Sequence, residues 1–352
     1  MVVSGFPRRS ETFALSELVA LDAAGALVAI FATRPGDGTE PDQDASRLTG
    51  RVVMLPSGTV TQQAETVAAH LRGTDVAGVH GYFAHTPADV AARAASELRV
   101  PYGFSAHARD VRKVEPAELA RRGRDAAIIT ACNRDVAACL REGGVTSVLV
   151  PHGVDISRFV PFDGVRPCGR LRLLSVGRLV EKKGFFVLLS AATRLELPFS
   201  LRIIGEGPEA PRLRGAIERL GLTDRVTLCG GRTHAELPHE YAAADIVVVP
   251  SVQDRSGDRD GLPNVVLEAM ASARAVVATR AGAISTAVEH QTTGWLVNAG
   301  DPAALADAIR VLGADADLRE RLGRAGRARV ERDFALRPCT ERLRRVLEAA
   351  YA

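Results

Sequence analysis

The stretch RLLSVGRLVEKKGFFVLLSAATRLE, residues 172–196, carries the pattern on which the predicted fold rests. Its apolar run over 172–176 predicts a strand, a loop rich in glycine and cations follows, and 185–196 predicts a helix. Short apolar runs and longer amphipathic segments alternate in this way along nearly the whole chain. Strands that alternate with helices predict right-handed βαβ units with parallel sheets.

The predicted strands form two series, separated by a stretch over 155–170 with little periodicity that we interpret as an interdomain connection. The first series comprises Val2–Gly5, Ala26–Ala32, Gly78–His80, Tyr102–Ser105, Ala127–Thr130 and Ser147–Val150. The second comprises Arg172–Val176, Ser200–Ile204, Val226–Cys229, Ile246–Val249, Ala275–Ala278 and Gly294–Val297. Helices are predicted over 10–24, 86–98, 133–143, 185–196, 208–220, 235–244, 264–273 and 302–312. We therefore predict an α/β protein of two doubly wound, Rossmann-like domains that face each other across a cleft.

Bulk composition excludes several classes of function. The chain has 352 residues, a net charge of +3 and 5% aromatic residues, which argues against nucleic acid as the main partner. Its five cysteines include no Cys-x-x-Cys pair, as expected of thiols in a reducing cytoplasm. No apolar run of membrane-spanning length and no signal peptide are visible, so a soluble cytoplasmic protein is expected.

Loops that follow strands are the candidate ligand sites, because ligands of such sheets bind outside the carboxyl ends of the strands. In the loop 175–184, two glycines bracket Arg178, Lys182 and Lys183. Cations at a strand end, just before a helix, suit a diphosphate. Taken alone, an exposed charged turn is the more frequent interpretation of such a loop.

Two further loops of the second series have a similar layout. In 203–209, Gly205 and Gly207 permit close approach of the backbone to a ligand, although such a pair is weak evidence alone. Ser251 follows the strand 246–249 after Pro250, and a helix begins near Pro263. The free N–H groups at that helix start attract a phosphate or a sugar oxygen.

Two carboxylates around this helix need an explanation. Glu268 lies in its apolar middle, and Asp260 stands eight residues earlier, in the preceding loop. A buried carboxylate without a partner costs several kcal/mol. We therefore expect both acids to hold a ligand.

Three histidines of the first series, His80, His85 and His107, fall at strand ends. A single histidine there is usually a turn residue with its hydrogen bonds satisfied, but three favour a function. They do not have a spacing to Asp or Glu that is typical of a metal site, so no metal is predicted.

Together these loops resemble the retaining glycosyltransferases of family four, which have the GT-B fold. Over roughly 150–330 the resemblance rests on VGRLVEKKG, IIGEGPE, AAADIVVVPS, DGLPNVVLEAMA, VVAT and TGWLV, with matching order and spacing. In the first half, FPRRSETF, HGYF and SAHARD are similar to the bacterial exopolysaccharide subgroup of the colanic acid and amylovoran type. The resemblance implies an acceptor-binding domain over 1–160, a donor-binding domain over 161–335 and a C-terminal helix over 336–352 that returns to the first domain.

The resemblance also implies roles for the candidate residues. Arg178 and Lys183 match the cationic pair that holds the donor diphosphate, and Glu268 matches the glutamate that binds the ribose hydroxyls. Asp260 stands where a glutamate near the transferred sugar is expected, and His107 matches a histidine that points at this sugar. Backbone groups that bind the sugar and the phosphate are implied for Gly261, Leu262, Pro263 and Asn264. A position beside the nucleotide base is implied for Arg232.

Some positions depart from the family pattern. Asp260 is one methylene shorter than the usual glutamate, and His152 stands where asparagine is common. Ser285 and Thr286 replace Pro-Glu. Ala273 and Ala275 replace the usual Gly and Pro, which affects the backbone path near 272–286 rather than the phosphate-binding pair.

The expected function is a retaining, metal-independent transfer of a hexose-type sugar from a nucleotide-diphosphate sugar to a saccharide, lipid-linked or natural-product acceptor. No other cofactor is expected, and UDP-sugars are preferred over GDP-sugars. The alternatives are a nucleotide-sugar epimerase or a phosphorylase on the same fold, and a non-catalytic nucleotide-sugar-binding subunit.

One basic stretch bears on the acceptor. Residues 109–124, RDVRKVEPAELARRGR, carry an excess of cations. A solvated helix face is the more frequent interpretation. The alternative is peripheral contact with an anionic membrane or with a diphosphate-lipid acceptor.

Overall fold

The structure, a computed structural model, describes residues 1–8, 11–36, 43–161 and 169–352. It divides into two compact units, the first formed by Met1–Gly153 with Leu336–Ala352 and the second by Val154–Ala335. Part of the loop 6–13 and the segment 162–168 of the predicted connection lie outside the described residues.

The first unit is built around a parallel sheet of seven strands within the described residues. The strands are β1 (Val2–Val3), β2 (Ile30–Ala32), β3 (Val52–Met54), β4 (Val79–Gly81), β5 (Tyr102–Ala106), β6 (Ile128–Ala131) and β7 (Val148–Leu149), in the order β3-β2-β1-β4-β5-β6-β7. The helices are α1 (Thr12–Ala23), α2 (Gln43–Leu48), α3 (Val60–Leu71), α4 (Thr86–Leu98), α5 (Asp110–Lys113), α6 (Pro116–Gly123) and α7 (Arg134–Glu142).

The second unit contains a parallel sheet of six strands within the described residues. They are β8 (Leu171–Val176), β9 (Phe199–Ile204), β10 (Val226–Leu228), β11 (Ile246–Val249), β12 (Ala275–Thr279) and β13 (Trp295–Val297), in the order β10-β9-β8-β11-β12-β13. The helices are α8 (Phe185–Ala192), α9 (Ala210–Arg219), α10 (Leu237–Ala243), α11 (Asn264–Ala271), α12 (Pro302–Ala314) and α13 (Ala316–Asp333). The last helix, α14 (Leu336–Tyr351), packs against α1 and belongs to the first unit.

This topology confirms the prediction of two doubly wound, parallel Rossmann-like domains. In each sheet the strand order reverses beside the first strand of the unit, between β1 and β4 and between β8 and β11. Such a switch point leaves a crevice at the carboxyl ends of the two strands, where the connecting helices diverge to opposite faces. The loops after β1 and β4, and those after β8 and β11, are therefore the places where each fold offers a site.

The central strands are buried on both faces, as expected of parallel sheets covered by helices. All four residues of β11 and all five of β12 are buried, and both strands are almost entirely aliphatic. The second unit therefore has two apolar cores. One contains Leu188, Ile203 and Ile309, and the other contains Val247, Leu267 and Met270.

Some elements of the first unit were not predicted. Strand β3 lies at the edge of the sheet and is only partly buried, and its apolar run is too short to distinguish a strand from a loop. Helix α3 begins with a capping box between Thr59 and Gln62, and its buried face includes Val67 and Leu71. That signal was present in the sequence. In the second unit, α13 was not predicted either, because it is so polar that periodicity is weak along its 18 residues.

Candidate functional site

The switch point of the second unit brings together charged side chains from two loops. Lys183 ends a short 3-10 turn after β8, and its Nζ lies 2.9 Å from Oδ2 of Asp260, in the loop after β11. Ser251, directly after Pro250 at the end of β11, donates its hydroxyl to the same oxygen at 2.8 Å. Lys182 lies 3.8 Å from the other oxygen of Asp260 and 3.1 Å from Asp258.

Asp260 is ionised in this setting although only 8% of it is exposed. Burial raises the pKa of Asp260, but the charge and hydrogen bond of Lys183, assisted by Lys182 and Ser251, outweigh burial and leave the pKa below its usual value. Lys183 and Asp260 thus form a buried ion pair at the carboxyl edge of the sheet, and Lys182 is a second cation beside it. An anion that binds at this cluster shares Lys182 and Lys183 with the carboxylates that already pair with them.

Arg178 differs from Lys183 within the same loop. Its side chain is exposed, and no carboxylate of the described ranges pairs with its guanidinium. Of the two cations that the sequence assigned to a diphosphate, one is held by Asp260 and the other is available to solvent. The structure brings Lys183, Asp260 and Ser251 together and leaves Arg178 at the rim.

The glycines of the loop 203–209 have a structural explanation in the protein itself. Gly205 has a φ of +152°, and a Cβ there would lie 1.9 Å from the carbonyl oxygen of Gly177. Gly207 has a φ of +157°, and a Cβ there would lie 2.4 Å from the oxygen of Leu179. Two strand-end loops therefore pack backbone to backbone, and this contact already requires both glycines.

The loop before α11 is fixed by its own backbone. The carbonyl oxygen of Gly261 accepts a hydrogen bond from Ala283 at 3.1 Å, and Leu262 packs against the apolar core. Pro263 stands at the N-cap, and Asn264 is the first helical residue, as predicted. The first N–H groups of α11 therefore follow directly on the loop that carries Asp260.

Glu268 is 3% exposed, yet both of its oxygens have neighbours within the protein. Tyr241 donates its hydroxyl to Oε2 at 2.7 Å, and Nε2 of His234 lies 3.5 Å from Oε1. Arg158 approaches Nδ1 of His234 at 2.8 Å, and because arginine only donates, the ring hydrogen sits on Nε2, toward Glu268. Sequence reasoning missed these partners, because nothing in their local sequence links them to α11.

Arg232, predicted where the nucleotide base is held, is bound into its own loop. It donates to the carbonyl oxygens of Cys229 at 3.0 Å and Gly231 at 2.9 Å, and lies 3.4 Å from Glu240. Its guanidinium is partly exposed, so one edge remains accessible.

In the first unit, the loop after β5 carries a buried histidine with one free nitrogen. His107 is 6% exposed, and its Nδ1 lies 3.3 Å from Oδ2 of Asp110, which also accepts its backbone N–H at 2.9 Å. Its Nε2 is buried and has no hydrogen-bond partner among the described residues. Burial lowers the pKa of His107, so the ring is neutral near pH 7 and presents Nε2 as an acceptor.

Aromatic rings and a buried acid surround His107. The ring of His152 stacks on it with centroids 5.0 Å apart, and the ring of Phe83 lies at 4.8 Å. Glu17 lies 3.6 Å from Nδ1 of His152 and accepts the hydroxyl of Tyr82. The sequence marks His152 only as a departure from a family pattern and does not predict its contact with His107.

The three strand-end histidines do not form one site. His85 lies 4.0 Å from Asp110, on the same side as His107. His80 instead faces the C-terminal helix, with Nδ1 2.7 Å from the hydroxyl of Tyr351 and Nε2 2.9 Å from Ser105. Burial lowers the pKa of His80 to about 3, as expected of a neutral structural histidine.

The basic stretch 109–124 forms α5 and α6, and ion pairs within the unit occupy much of its charge. Arg112 pairs with Asp135 at 2.8 Å. Arg121 and Arg122 both pair with Asp89, at 2.9 and 2.8 Å. These contacts favour the interpretation of a solvated helix face over a membrane-binding surface.

Metal centres and membrane spans are two other kinds of site that a chain of this size can carry. Across residues 1–8, 11–36, 43–161 and 169–352, no group of three or more His, Cys, Asp and Glu side chains is placed to hold a metal ion. Over the same part of the chain, no helix combines the length and the apolar character needed to cross a membrane.

Two family models match the chain, one in each half. The model described as Glycosyltransferase Family 4 matches residues 10–158, and the model described as Glycosyl transferases group 1 matches residues 170–315. Together they include every loop of the two switch points except the part of the β1 loop before residue 10.

Curated relatives and solved structures agree with these models. The putative colanic acid biosynthesis glycosyltransferase WcaL of Escherichia coli (strain K12) is 36% identical over 201 residues, which is 56% of this chain and 50% of that protein. The amylovoran biosynthesis glycosyltransferase AmsK of Erwinia amylovora is 36% identical over 182 residues, or 51% and 44% of the two chains. The chain thus spans about half the length of these relatives. The crystal structure of Anabaena Alr3699/HepE in complex with UDP superposes with a TM-score of 0.81 at 19% identity and covers 99% of both chains.

Proposed function

We propose that this chain, which belongs to the family-four glycosyltransferases with the GT-B fold, transfers a hexose-type sugar from a nucleotide-diphosphate sugar to a saccharide, lipid-linked or natural-product acceptor. The proposal includes retention of the anomeric configuration and independence from a metal ion. The observation that carries it is the charged cluster at the switch point of the second unit, where Lys183 and Asp260 pair beside the exposed Arg178.

The chemistry of the reaction needs this cluster. When a sugar leaves its nucleotide, negative charge develops on the diphosphate, and fixed cations stabilise that charge in the transition state. Arg178 and Lys183 supply two cations, and the N–H groups at the start of α11 add a partial positive charge. These groups stabilise the charge on the leaving diphosphate, as a bound cation does in other sugar transferases.

Asp260 has a distinct role in this proposal. In the structure it neutralises Lys183, so an incoming diphosphate shares that lysine and leaves Asp260 oriented by Ser251. We assign Asp260 to the transferred sugar, where a carboxylate accepts hydrogen bonds from hydroxyls.

Glu268 is assigned to the ribose. Each carboxylate oxygen accepts about two hydrogen bonds, so Tyr241 and His234 do not exhaust its capacity. The two neighbours fix the orientation of the carboxylate and lower the cost of burying it. Arg232 remains the candidate neighbour of the base.

The identity of donor and acceptor belongs to the proposal as well. UDP-sugars rank ahead of GDP-sugars in this proposal, and the donor screen below decides between them. A saccharide acceptor is supported by the names of the colanic acid and amylovoran relatives. We assign the acceptor to the first unit, with His107 near the reacting sugar, and a cytoplasmic location stays a prediction.

The test is a donor screen on the intact chain. UDP-, GDP- and ADP-sugars are incubated with mixed saccharide acceptors, with and without EDTA, and products are identified by mass spectrometry and proton NMR. We expect transfer or slow hydrolysis with one nucleotide class, unchanged by EDTA, and an α-linked product from an α-linked donor. Isomerisation of the donor would show an epimerase, and binding without turnover would show a non-catalytic subunit.

A further inference from the structure

A polar cavity of about 260 Å³ lies in the first unit, and His85 on its wall stacks on Phe83, one of the rings around His107. Ser4, Thr33 and Thr86 line it from the ends of β1 and β2 and from the start of α4, and Gln63 lines it from α3. The cavity is thus at the carboxyl edge of the sheet, where doubly wound folds bind ligands. Its volume is below the roughly 300–1,000 Å³ of pockets for drug-sized molecules, which suits one small ring.

The wall of the cavity is rigid and polar. Gln63 is 4% exposed and donates both amide hydrogens to backbone oxygens, to Thr33 at 2.8 Å and to Pro56 at 3.1 Å. The side-chain oxygen Oε1 of Gln63 is therefore available to accept a hydrogen bond from a ligand. Thr33 donates its hydroxyl to the carbonyl oxygen of Ser4 at 2.9 Å, which fixes the hydroxyl lone pairs toward the cavity as acceptors. These groups match the hydroxyls of a sugar.

The charge around the cavity is positive. Arg34 supplies this charge, because burial lowers the pKa of the other basic lining residue, His85, and the described lining includes no carboxylate. Of the acids nearby, Glu11 pairs with Arg8, and Asp110 accepts a hydrogen bond from His107 and lies 4.0 Å from His85. Arg34 is exposed, and no described carboxylate pairs with it, so its guanidinium is the cation that a ligand meets first.

We infer that this cavity binds the terminal sugar of the acceptor, and that it prefers a sugar with an anionic substituent, a carboxylate or a phosphate, placed against Arg34. The inference rests on the proposed function, since it names the acceptor class of that same reaction. An apolar lipid chain does not suit this lining, since Val60 is the one large aliphatic side chain among the described residues that form it. Planar guanidinium groups bind carboxylate and phosphate oxygens through paired hydrogen bonds, which adds selectivity to charge.

The test measures binding without turnover. Saturation-transfer NMR and competition titrations compare methyl glucoside, methyl glucuronoside and glucose 6-phosphate on the intact chain. We expect the two anionic sugars to bind at least fivefold more tightly than methyl glucoside, and the stronger of the two identifies the substituent. Equal affinity for all three sugars overturns the inference, and so does equal competition by inorganic phosphate and glucose 6-phosphate, which would show a simple anion site.

Variants locate the site. In Arg34→Gln the preference for anionic sugars should be lost while methyl glucoside binds as before, and Arg34→Lys should restore part of the preference. Arg93→Gln, an exposed arginine on α4, is the matched control and should change nothing. An unchanged preference in Arg34→Gln, with an unchanged melting temperature, refutes the assignment. UDP binding measured on the same samples separates the two proposals, because its absence counts against the proposed function alone.

Discussion

The two switch points have the same topology and different chemistry. At the second unit, Lys183 and Asp260 form a buried ion pair with Arg178 exposed beside them. At the first unit, the corresponding edge carries the neutral His107, stacked on His152, and a polar cavity beside Arg34. One edge concentrates charge, whereas the other offers acceptors, rings and exposed cations such as Arg34.

This difference teaches that the fold decides where a ligand binds and the loops decide which ligand. A diphosphate needs several cations held close together, and the second unit supplies them within one loop. A sugar needs a rigid set of hydrogen-bonding groups of both kinds, which the first unit supplies from three loops and a helix. Substitutions at each edge test whether the two edges really divide the work in this way.

The largest effect is expected at Asp260. Asp260→Ala should lower turnover by roughly 100- to 1,000-fold, a loss typical of removing one group that stabilises a transition state. UDP affinity should stay within about threefold, because the change also frees Lys183 for the diphosphate. A transfer assay beside calorimetry with UDP measures both, and Asp260→Glu should retain appreciable activity.

The control for Asp260 is its neighbour. Asp258→Ala removes a carboxylate that pairs with Lys182 at 3.1 Å. This pair is only partly exposed, but neither residue is assigned to the sugar, so turnover should change by less than about fivefold. If Asp260→Ala loses UDP affinity as strongly as turnover, the carboxylate belongs to the nucleotide site rather than to the sugar.

The second prediction separates the two cations. Charged hydrogen bonds contribute about 1.5–3 kcal/mol, so Arg178→Ala and Lys183→Ala should each weaken UDP binding about tenfold or more. Only Lys183→Ala should also lower the melting temperature, because it removes the cation nearest to the buried Asp260. Calorimetry and thermal unfolding of both variants decide this, and equal melting temperatures would show that the ion pair contributes little.

The third prediction concerns Glu268 and Tyr241. Glu268→Ala should weaken UDP binding about tenfold, since it removes the proposed partner of the ribose diol. Tyr241→Phe removes the 2.7 Å hydrogen bond but keeps the carboxylate, so it should cost about 1 kcal/mol of stability and change UDP affinity by less than about threefold. The reverse pattern would make Glu268 a structural residue that holds Tyr241.

The same pair shows what a sequence predicts and what it does not. The strands of the second unit were predicted within a residue or two, because buried parallel strands are continuous aliphatic runs such as Ile246–Val249. Glu268 was recognised as unusual for the same reason, being a carboxylate in an apolar helix. Its partner Tyr241 lies 27 residues away, and only the packing of α10 against the sheet brings the two together.

The first unit was less predictable for a related reason. Its edge strand β3 and its helix α2 are short, so they lack a period that can be recognised. The contact between His107 and His152 joins loops 45 residues apart, and no spacing rule leads from one to the other. Pairs within one loop, such as Arg178 with Lys183, were predictable as candidates, but which of them is ion-paired depends on Asp260, 77 residues from Lys183.

The fourth prediction uses pH to compare a structural histidine with the site histidines. Burial lowers the pKa of His80 to about 3, whereas an unfolded chain protonates near 6.5. Between these values the unfolded state binds a proton that the native state does not, so stability falls as pH falls, by roughly 1.4 kcal/mol per unit. Urea unfolding from pH 7 to 4 should show a shallower decline in His80→Gln than in the wild type.

The control for His80 is an exposed histidine of the same unit. His70→Gln, on α3, should keep the pH dependence of the wild type. His107 contributes in the same direction as His80, because its pKa is also lowered by burial. A slope that is identical in His80→Gln and in the wild type would mean that His80 is protonated in the native state.

The smallest effect is expected for the basic stretch of the first unit, which resembles the loop of Arg178 and Lys183 in cation content only. Arg112, Arg121 and Arg122 are neutralised by Asp135, Asp89 and Glu118, and a cation already paired gains little from an anionic surface. A free cation contributes about 1 kcal/mol at such a surface, and salt screens it within a Debye length. Co-sedimentation with vesicles at roughly 0.15 M salt should therefore change by less than about twofold between zwitterionic and anionic lipid. A larger increase that Asp89→Asn enhances would show that these ion pairs suppress membrane binding, and would make the basic stretch a candidate site again.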